Sequence, residues 1–382
     1  MSQNAPEFAN VMDHLSPDVA LKLFETSAVL IIAGVPVGTE FGIDERTFIV
    51  GENFRGVKMI PDGVHVIYCA SQGPYGDSAP RVGFTHFFKA GEIVIREWDN
   101  EKEELRCRTR GDAELEKSRI KLNLCHLDKY LAPYDYTGLP KWKQLTGNIT
   151  ESTVIKHSPD CGLVRNTIEL LSCTDDDRPK GGPSAAPTTK HARRPSRFRD
   201  FIEEEDMLPD LKSVPGTAPN FTELPPRCPK GSTPFEISQH YMDAIVAVER
   251  LLQGREEPIF AEIQFSFILF LCCHSVESLS HWRKILLLLS NSEQAVEKFR
   301  IFYRNYLTVL QTQIPLLPIE LMEQTQFNTV YSDIKRLLLN CYQAGLTSAA
   351  QDLEKILRET VLWSFDDLFA EDPDEMPTVV DL

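Results

Sequence analysis

Apolar positions change their period along the chain, and those changes divide it. Val19, Ala20, Leu23 and Phe24 share one helical face, behind Ser16 as N-cap and Pro17 at the first helical position. From Ala28 to about Trp98 the period shortens to that of strands. Residues 29–35, 47–50 and 64–69 read as short strands, the last entered through the turn Pro61-Asp62-Gly63. Residues 81–88 and 92–98 read as a hairpin whose three-residue loop carries Gly91 at a positive-φ position. Six or so strands without intervening helices predict a sandwich or barrel rather than a parallel α/β sheet. Ile120, Leu124, Leu127 and Leu131, spaced four, three and four apart, then predict a surface helix.

From Thr233 onward the period is helical. Thr233-Pro234-Phe235-Glu236 is a capping box, and Ile237, Tyr241, Ile245, Val248 and Leu252 form the buried face behind it. Further helices are expected over residues 259–273, 276–289, 293–313, 327–344 and 348–363. Residues 263–273 are apolar on nearly all sides, which suits the central helix of a bundle, with Trp282 and Trp363 as anchors. The expected class is α+β and multidomain, with a β-rich, sandwich- or barrel-like N-terminal domain and an all-α C-terminal domain.

Composition separates these parts. Residues 178–199 hold seven Lys and Arg and no acid, so they carry +7 while the rest of the chain carries −23. Low hydrophobicity and like charge predict a basic disordered linker over residues 172–205. After Arg358 there is no further basic residue. Asp366, Asp367, Glu371, Asp372, Asp374 and Glu375 make an acidic spacer before Pro377-Thr378-Val379-Val380-Asp381-Leu382. The expected division is therefore 1–171, 172–205, 206–365 and a tail at 366–382.

Over all 382 residues the net charge is −16, with 42% apolar residues. So acidic a chain is a poor ligand for nucleic acid or an anionic membrane. The first fifteen residues lack the basic start and apolar run of a signal peptide, and the most apolar stretch, residues 259–273, is short of the ~20 residues that span a bilayer. Nine scattered cysteines without a CxxC pair read as reduced thiols in a soluble, intracellular protein.

Few residues of the chain suggest catalytic or metal chemistry. Cys272-Cys273-His274 with His281 matches no zinc spacing and reads as core packing, as does Cys125-His126. Asp175-Asp176-Asp177 reads as a solvated charge run, and Gly73-Pro74-Tyr75-Gly76 is too short for a phosphate loop. No catalytic motif is present, and the expectation is a non-enzyme without cofactor or metal.

One segment is distinctive. Pro36-Val37-Gly38-Thr39-Glu40-Phe41-Gly42-Ile43-Asp44, Val50-Gly51, residues 54–61 from Phe54-Arg55-Gly56 to Ile60-Pro61, and Gly63-Val64-His65 resemble the signature of the Aar-two family. The resemblance continues through Pro80-Arg81-Val82-Gly83-Phe84, Leu127-Asp128, Pro133-Tyr134 and Lys141-Trp142. It resumes at Phe221-Thr222-Glu223-Leu224-Pro225, Glu262-Ile263-Gln264-Phe265 and His281-Trp282-Arg283-Lys284. It implies a β-rich domain joined to a helical domain similar to the VHS superhelix. It also implies an assembly factor of the spliceosomal U5 small nuclear ribonucleoprotein precursor. Such a factor binds the RNase H-like and MPN-like domains of the Prp-eight scaffold and delays joining of the RNA helicase. Direct nucleic-acid or membrane binding is not expected. The alternative is a general adaptor whose helical domain takes peptide motifs.

The candidate site residues follow from these readings. Arg55 and Lys58 are the charged members of the signature. They are candidate scaffold contacts, although a motif so dense in glycine favours structural pairing with Glu40, Asp44 or Glu45. Thr378, Val379 and Val380 are candidates for strand addition to the scaffold. Ser196, two residues after Arg193-Arg194, is a candidate phosphorylation site that alters how the two domains close on the scaffold. With Arg197, the two arginines also form a thin import signal, and the expected location is cytoplasmic and nuclear.

Overall fold

The computed structural model describes residues 17–73, 75–107, 113–171, 213–226, 228, 231–252, 256–325 and 328–369. After α1 (Pro17–Thr26), the strands are β1 (Ala28–Ala33), β2 (Glu40–Ile43), β3 (Arg46–Ile49), β4 (Gly56–Ile60), β5 (Gly63–Ala70), β6 (Val82–Phe88), β7 (Ile93–Asp99) and β8 (Glu104–Cys107). Then come α2 (Ala113–Leu122), α3 (Leu124–Leu127), β9 (Leu131–Pro133), α4 (Leu139–Thr146), α5 (Glu151–His157) and β10 (Val164–Arg165). Two five-stranded sheets result, ordered β8-β7-β1-β4-β9 and β10-β6-β5-β2-β3. This is the α+β architecture that the short strands and the later helical period predict.

The sheets enclose one core, with Leu30, Ile32, Phe41, Ile67, Phe84 and Trp98 among its members. Side chains alternate across a strand, so β5 divides its own between two cores: Ile67 and Cys69 face this one, whereas Val64, Val66 and Tyr68 face the helices. Burial on both faces explains why β5 is apolar along most of its length, with His65 the polar exception.

Two glycines permit close approach of the strands. A Cβ at Gly42 would sit 2.1 Å from the Tyr68 ring, and one at Gly56 (φ +137°) would sit 1.9 Å from the Leu30 carbonyl oxygen.

The expected hairpin of residues 81–88 and 92–98 does not form. β6 pairs with β5 and β10, whereas β7 lies in the other sheet, parallel to β1 and antiparallel to β8. Gly91, at φ +69°, turns the chain from one sheet to the other. β1 is buried, so its second edge needs hydrogen-bond partners, and β7 supplies them. The single helix expected from Ile120 to Leu131 is likewise broken. Asn123 Nδ2 donates to the Arg119 carbonyl, α2 ends, and Leu131 enters β9, parallel to β4. Cys125 and His126, expected in a core, are exposed.

The helical part comprises α6 (Pro234–Met242), α7 (Ile245–Leu252), α8 (Glu256–Cys273), α9 (Val276–Ser290), α10 (Glu293–Lys298), α11 (Arg300–Gln313), α12 (Thr329–Gln343) and α13 (Thr347–Thr360). The capping box of α6 forms, Thr233 with Glu236. The buried face expected behind it is interrupted: Val248 and Leu252 are buried, but Ile237 is exposed. Asp243 breaks the helix because its carboxylate accepts from the Ile245 and Gln294 backbones and from Ser292. Phe299, at φ −111° and ψ 45°, splits the segment expected over 293–313. Trp363 lies beyond α13 but is buried, its Nε1–H donating to the Met322 carbonyl at 2.6 Å.

α8 is the central helix, and its surroundings extend beyond a bundle. It packs on α9 and α11 and also on α4, α5, β5 and β10. One apolar cluster therefore runs from the helices onto the outer face of the second sheet. The boundary read at 172–205 divides the sequence, and packing crosses it. The two chain segments flanking residues 172–212 also meet, through a Leu170–Ser213 bridge and a 2.7 Å bond from the Val214 N–H to the Glu169 carbonyl.

Candidate functional site

The distinctive motifs, far apart in sequence, converge where α8 meets the second sheet. Arg81, just before β6, donates to Glu40 at 3.0 Å and to the Cys272 carbonyl at 3.1 Å, with its guanidinium 4.5 Å above the Tyr68 ring. It thereby ties β2 to the C-terminus of α8, where free carbonyls favour a cation. Cys272 Sγ donates to the Asp44 carbonyl at 3.3 Å. The Asp44 carboxylate also accepts from His65, from Tyr134 and from the Val66 N–H. Gly83 is required beside this contact, since a Cβ there would lie 2.7 Å from Cys273 Sγ.

A second buried cluster lies further along α8. Glu262, 1% exposed, accepts from His281 Nε2 at 2.8 Å and from the Thr222 N–H and hydroxyl, each at 2.7 Å. His157 Nε2 lies 3.5 Å away, and its Nδ1 contacts the Asn220 carbonyl at 2.8 Å. Burial pushes the Glu262 carboxyl up, but the bonds from His281 and Thr222 outweigh it and leave its pKa below the ordinary value. Burial pushes the His157 imidazole down, and Glu262 and Asn220 offset this only in part. The cluster clamps residues 220–222 between α5, α8 and α9. A single carboxylate thus joins both halves of the chain.

The sequence had marked Glu262, Thr222 and His281 as members of motifs, and nothing in their spacing pairs them. His157 and Asn220 were missed, because their roles arise only when the chain folds back on itself.

Arg55 and Lys58 sit differently from one another, and neither pairs with Glu40, Asp44 or Glu45. Lys58 is buried in β4, its Nζ at 2.5 Å from the Asp128 carboxylate. Arg55 is exposed and donates through Nη1 to the Glu52 and Phe54 carbonyls. Glu40 binds Arg81, Asp44 binds His65, and Glu45 binds Lys141. The expected partners were already held by residues brought from farther along the chain. Ser196, Thr378, Val379 and Val380 lie outside the described residues.

The base of the tail is fixed. Phe365 stacks on Tyr331, Asp366 pairs with Arg358, Asp367 pairs with Lys335, and Phe369 meets the Tyr342 ring edge-on. Residues 363–369 thus run back along α12 and α13. Two of the six acids read as a spacer are held in ion pairs, and four follow Phe369.

Cys272 and Cys273 are buried, and burial pushes the Cys273 thiol up to about 12, a protonated and poorly nucleophilic state. His281 contacts Glu262 and His274 is exposed, so the Cys-Cys-His run does not converge on one point. Among the described residues no group of three or more His, Cys, Asp or Glu is placed to hold a metal ion. Among them, too, no helix is long and apolar enough to cross a membrane.

Comparison with known proteins agrees with the motif pattern. The family model for the AAR2 N-terminal domain matches residues 26–159, and that for the AAR2 C-terminal repeat region matches residues 221–366. The chain is 31% identical over 386 residues to Protein AAR2 homolog of Mus musculus, covering 96% of this chain and 97% of that one. It is 32% identical over 381 residues to Protein AAR2 homolog of Homo sapiens, with the same coverage. The Caenorhabditis elegans protein of that name is 29% identical over 358 residues, covering 89% of this chain and 93% of the relative.

Proposed function

Because the chain belongs to the AAR2 family, we propose that it is a non-enzymatic assembly factor in pre-mRNA splicing, acting on the precursor of the U5 small nuclear ribonucleoprotein. The observation that carries this reading is the match of both family models, in order, with relatives aligned along nearly the whole chain. The buried clusters support it: the polar groups that the distinctive motifs bring together bond to one another and hold the fold.

The reading extends to the partner. The protein binds the C-terminal RNase H-like and MPN-like domains of the Prp-eight scaffold and delays helicase joining. Its helices act as a VHS-like superhelix, and it works in the cytoplasm and the nucleus. The tail beyond Phe369 supplies Thr378, Val379 and Val380 as a strand for a sheet edge of the scaffold, since so short a strand gains partners for its backbone only by pairing. Phosphate on Ser196 would add about −1.5 to −2 charges beside Arg194 and Arg197 and weaken the basic character of that stretch.

Affinity purification of the tagged protein from cells tests the reading. Recovery of the large scaffold and U5 RNA without the helicase is expected. Recovery of vesicle or receptor proteins instead would overturn it in favour of a general adaptor.

A further inference from the structure

A trough of about 420 Å³ opens on the surface of the first sheet. One wall is the run of five consecutive residues from Ile31 to Val35, and Leu127 of α3, Glu52 and Arg55 complete the lining. Its volume lies within the ~300–1,000 Å³ of ligand sites. A wall of five consecutive residues has the length of a short extended segment. No residue of α3 is buried, so Leu127 is only half covered by the protein itself.

Arg55 is held ready at this trough. Its backbone N–H donates to the Tyr130 carbonyl at 2.9 Å, and its own carbonyl accepts from Ile32 at 2.8 Å. Nη1 is fixed on the Glu52 and Phe54 carbonyls at 3.1 and 2.7 Å, and Nε and Nη2 make no bond among the described residues. These two N–H groups lie on one side of the guanidinium, the arrangement that grips a carboxylate with two parallel bonds. A pre-positioned guanidinium loses little side-chain entropy on binding.

The charge nearby has the complementary sign. The last turn of α2 carries Arg119 and Lys121, Lys129 follows Leu127 by two positions, and Asp128 is paired with Lys58, in a chain whose net charge is −16.

The geometry points to this trough as the docking site for an extended acidic segment of the partner protein, a bulky aliphatic side chain against Ile31–Val35 and the adjoining carboxylate on Arg55 Nε and Nη2. The assignment rests on the reading of the chain as a scaffold-binding protein. Lys58 serves only to seat Asp128 and, with it, the start of β9.

Two titrations on the full chain test it, with melting temperature recorded for each variant. In the first, the two-domain scaffold fragment is titrated into wild type, Arg55→Glu and Leu127→Glu. At least tenfold weaker binding is expected in both variants, with unchanged melting of Arg55→Glu. Equal affinities beside a wild type that binds would overturn the trough and leave the scaffold reading intact. In the second, a fluorescein-labelled nonapeptide with one leucine between two pairs of glutamates replaces the fragment, so the trough is tested even if the scaffold does not bind. Saturable, salt-sensitive binding that Arg55→Glu weakens at least tenfold supports the assignment, and binding indifferent to Arg55 overturns it. Tighter peptide binding after removal of residues 370–382 also overturns it, assigning the trough to the chain's own tail.

Discussion

Phe221 lies flat on His281, ring centroids 4.3 Å apart and 4° from parallel, and the stack adjoins the buried carboxylate of Glu262. The segment entering the helical part is therefore fixed to α9 by a ring and to α8 by a charge. Replacing that charge is costly, because hydrogen bonds to an ionised group contribute about 1.5–3 kcal/mol each. Glu262→Gln is expected to lower stability by about 2–3 kcal/mol. Chemical denaturation checks this, and an unchanged midpoint would contradict the clamp.

The same cluster sets a pH dependence. The folded pKa of His157 is depressed from 6.5, so the unfolded chain takes up its proton first and stability falls as pH drops through that value. The Glu262 carboxyl is depressed from 4.5, so its contribution is present above 4.5 and is lost as pH falls through the lowered value. His157→Gln should flatten the stability profile between pH 7.5 and about 5.5 without removing the acid limb below it. An unaltered slope would contradict the assignment.

Asp333 on α12 has the opposite sign. Burial raises its carboxyl from 3.8 to about 6, despite Arg336 and Arg283. Its contribution is most favourable below 3.8 and is lost as pH rises through about 6. Asp333→Asn should therefore stabilise the protein at pH 7.5 by up to about 3 kcal/mol, and the gain should vanish near pH 4. Thermal melts at the two pH values decide it; destabilisation at pH 7.5 would contradict it.

Much of the fold was legible because periodicity reports burial. The strand β5, the all-round apolar α8 and the Thr233–Glu236 cap are local patterns with local causes. Which strand pairs with which is not local. Residues 81–88 and 92–98 have hairpin spacing, yet β7 satisfies β1 in the other sheet, a demand visible only when the whole sheet is assembled. The site failed to show itself for the same reason. Lys58 has candidate acids nearby in sequence, but Asp128, seventy positions away, is the one that β9 brings to it.

Trp282 fills the helical core with 1% exposure, its Nε1–H donating to Gln313 at 2.9 Å. Trp282→Ala should cost about 3–5 kcal/mol and lower the melting temperature together with partner binding. Loss of binding with unchanged melting would make Trp282 a contact residue instead.

Residues 172–212 are flanked by Leu170 and Ser213, which bridge to one another. Replacing residues 172–212 with a short Gly-Ser connection should leave stability within about 1 kcal/mol, since closure entropy varies slowly with loop length. A large drop in melting temperature would contradict this.

The central claim is that the chain is a scaffold-binding module whose tail adds a strand to its partner. Titration of the two-domain scaffold fragment against wild type, a truncation after Glu375 and Val379→Pro tests it most directly. Both variants keep Asp366 on Arg358 and Phe369 on Tyr342, so their melting should match wild type. The account predicts tight binding by wild type and at least tenfold weaker binding, about 1.4 kcal/mol, in both variants. Equal affinity in all three proteins would contradict the role of the tail, and absence of binding by wild type would contradict the function itself.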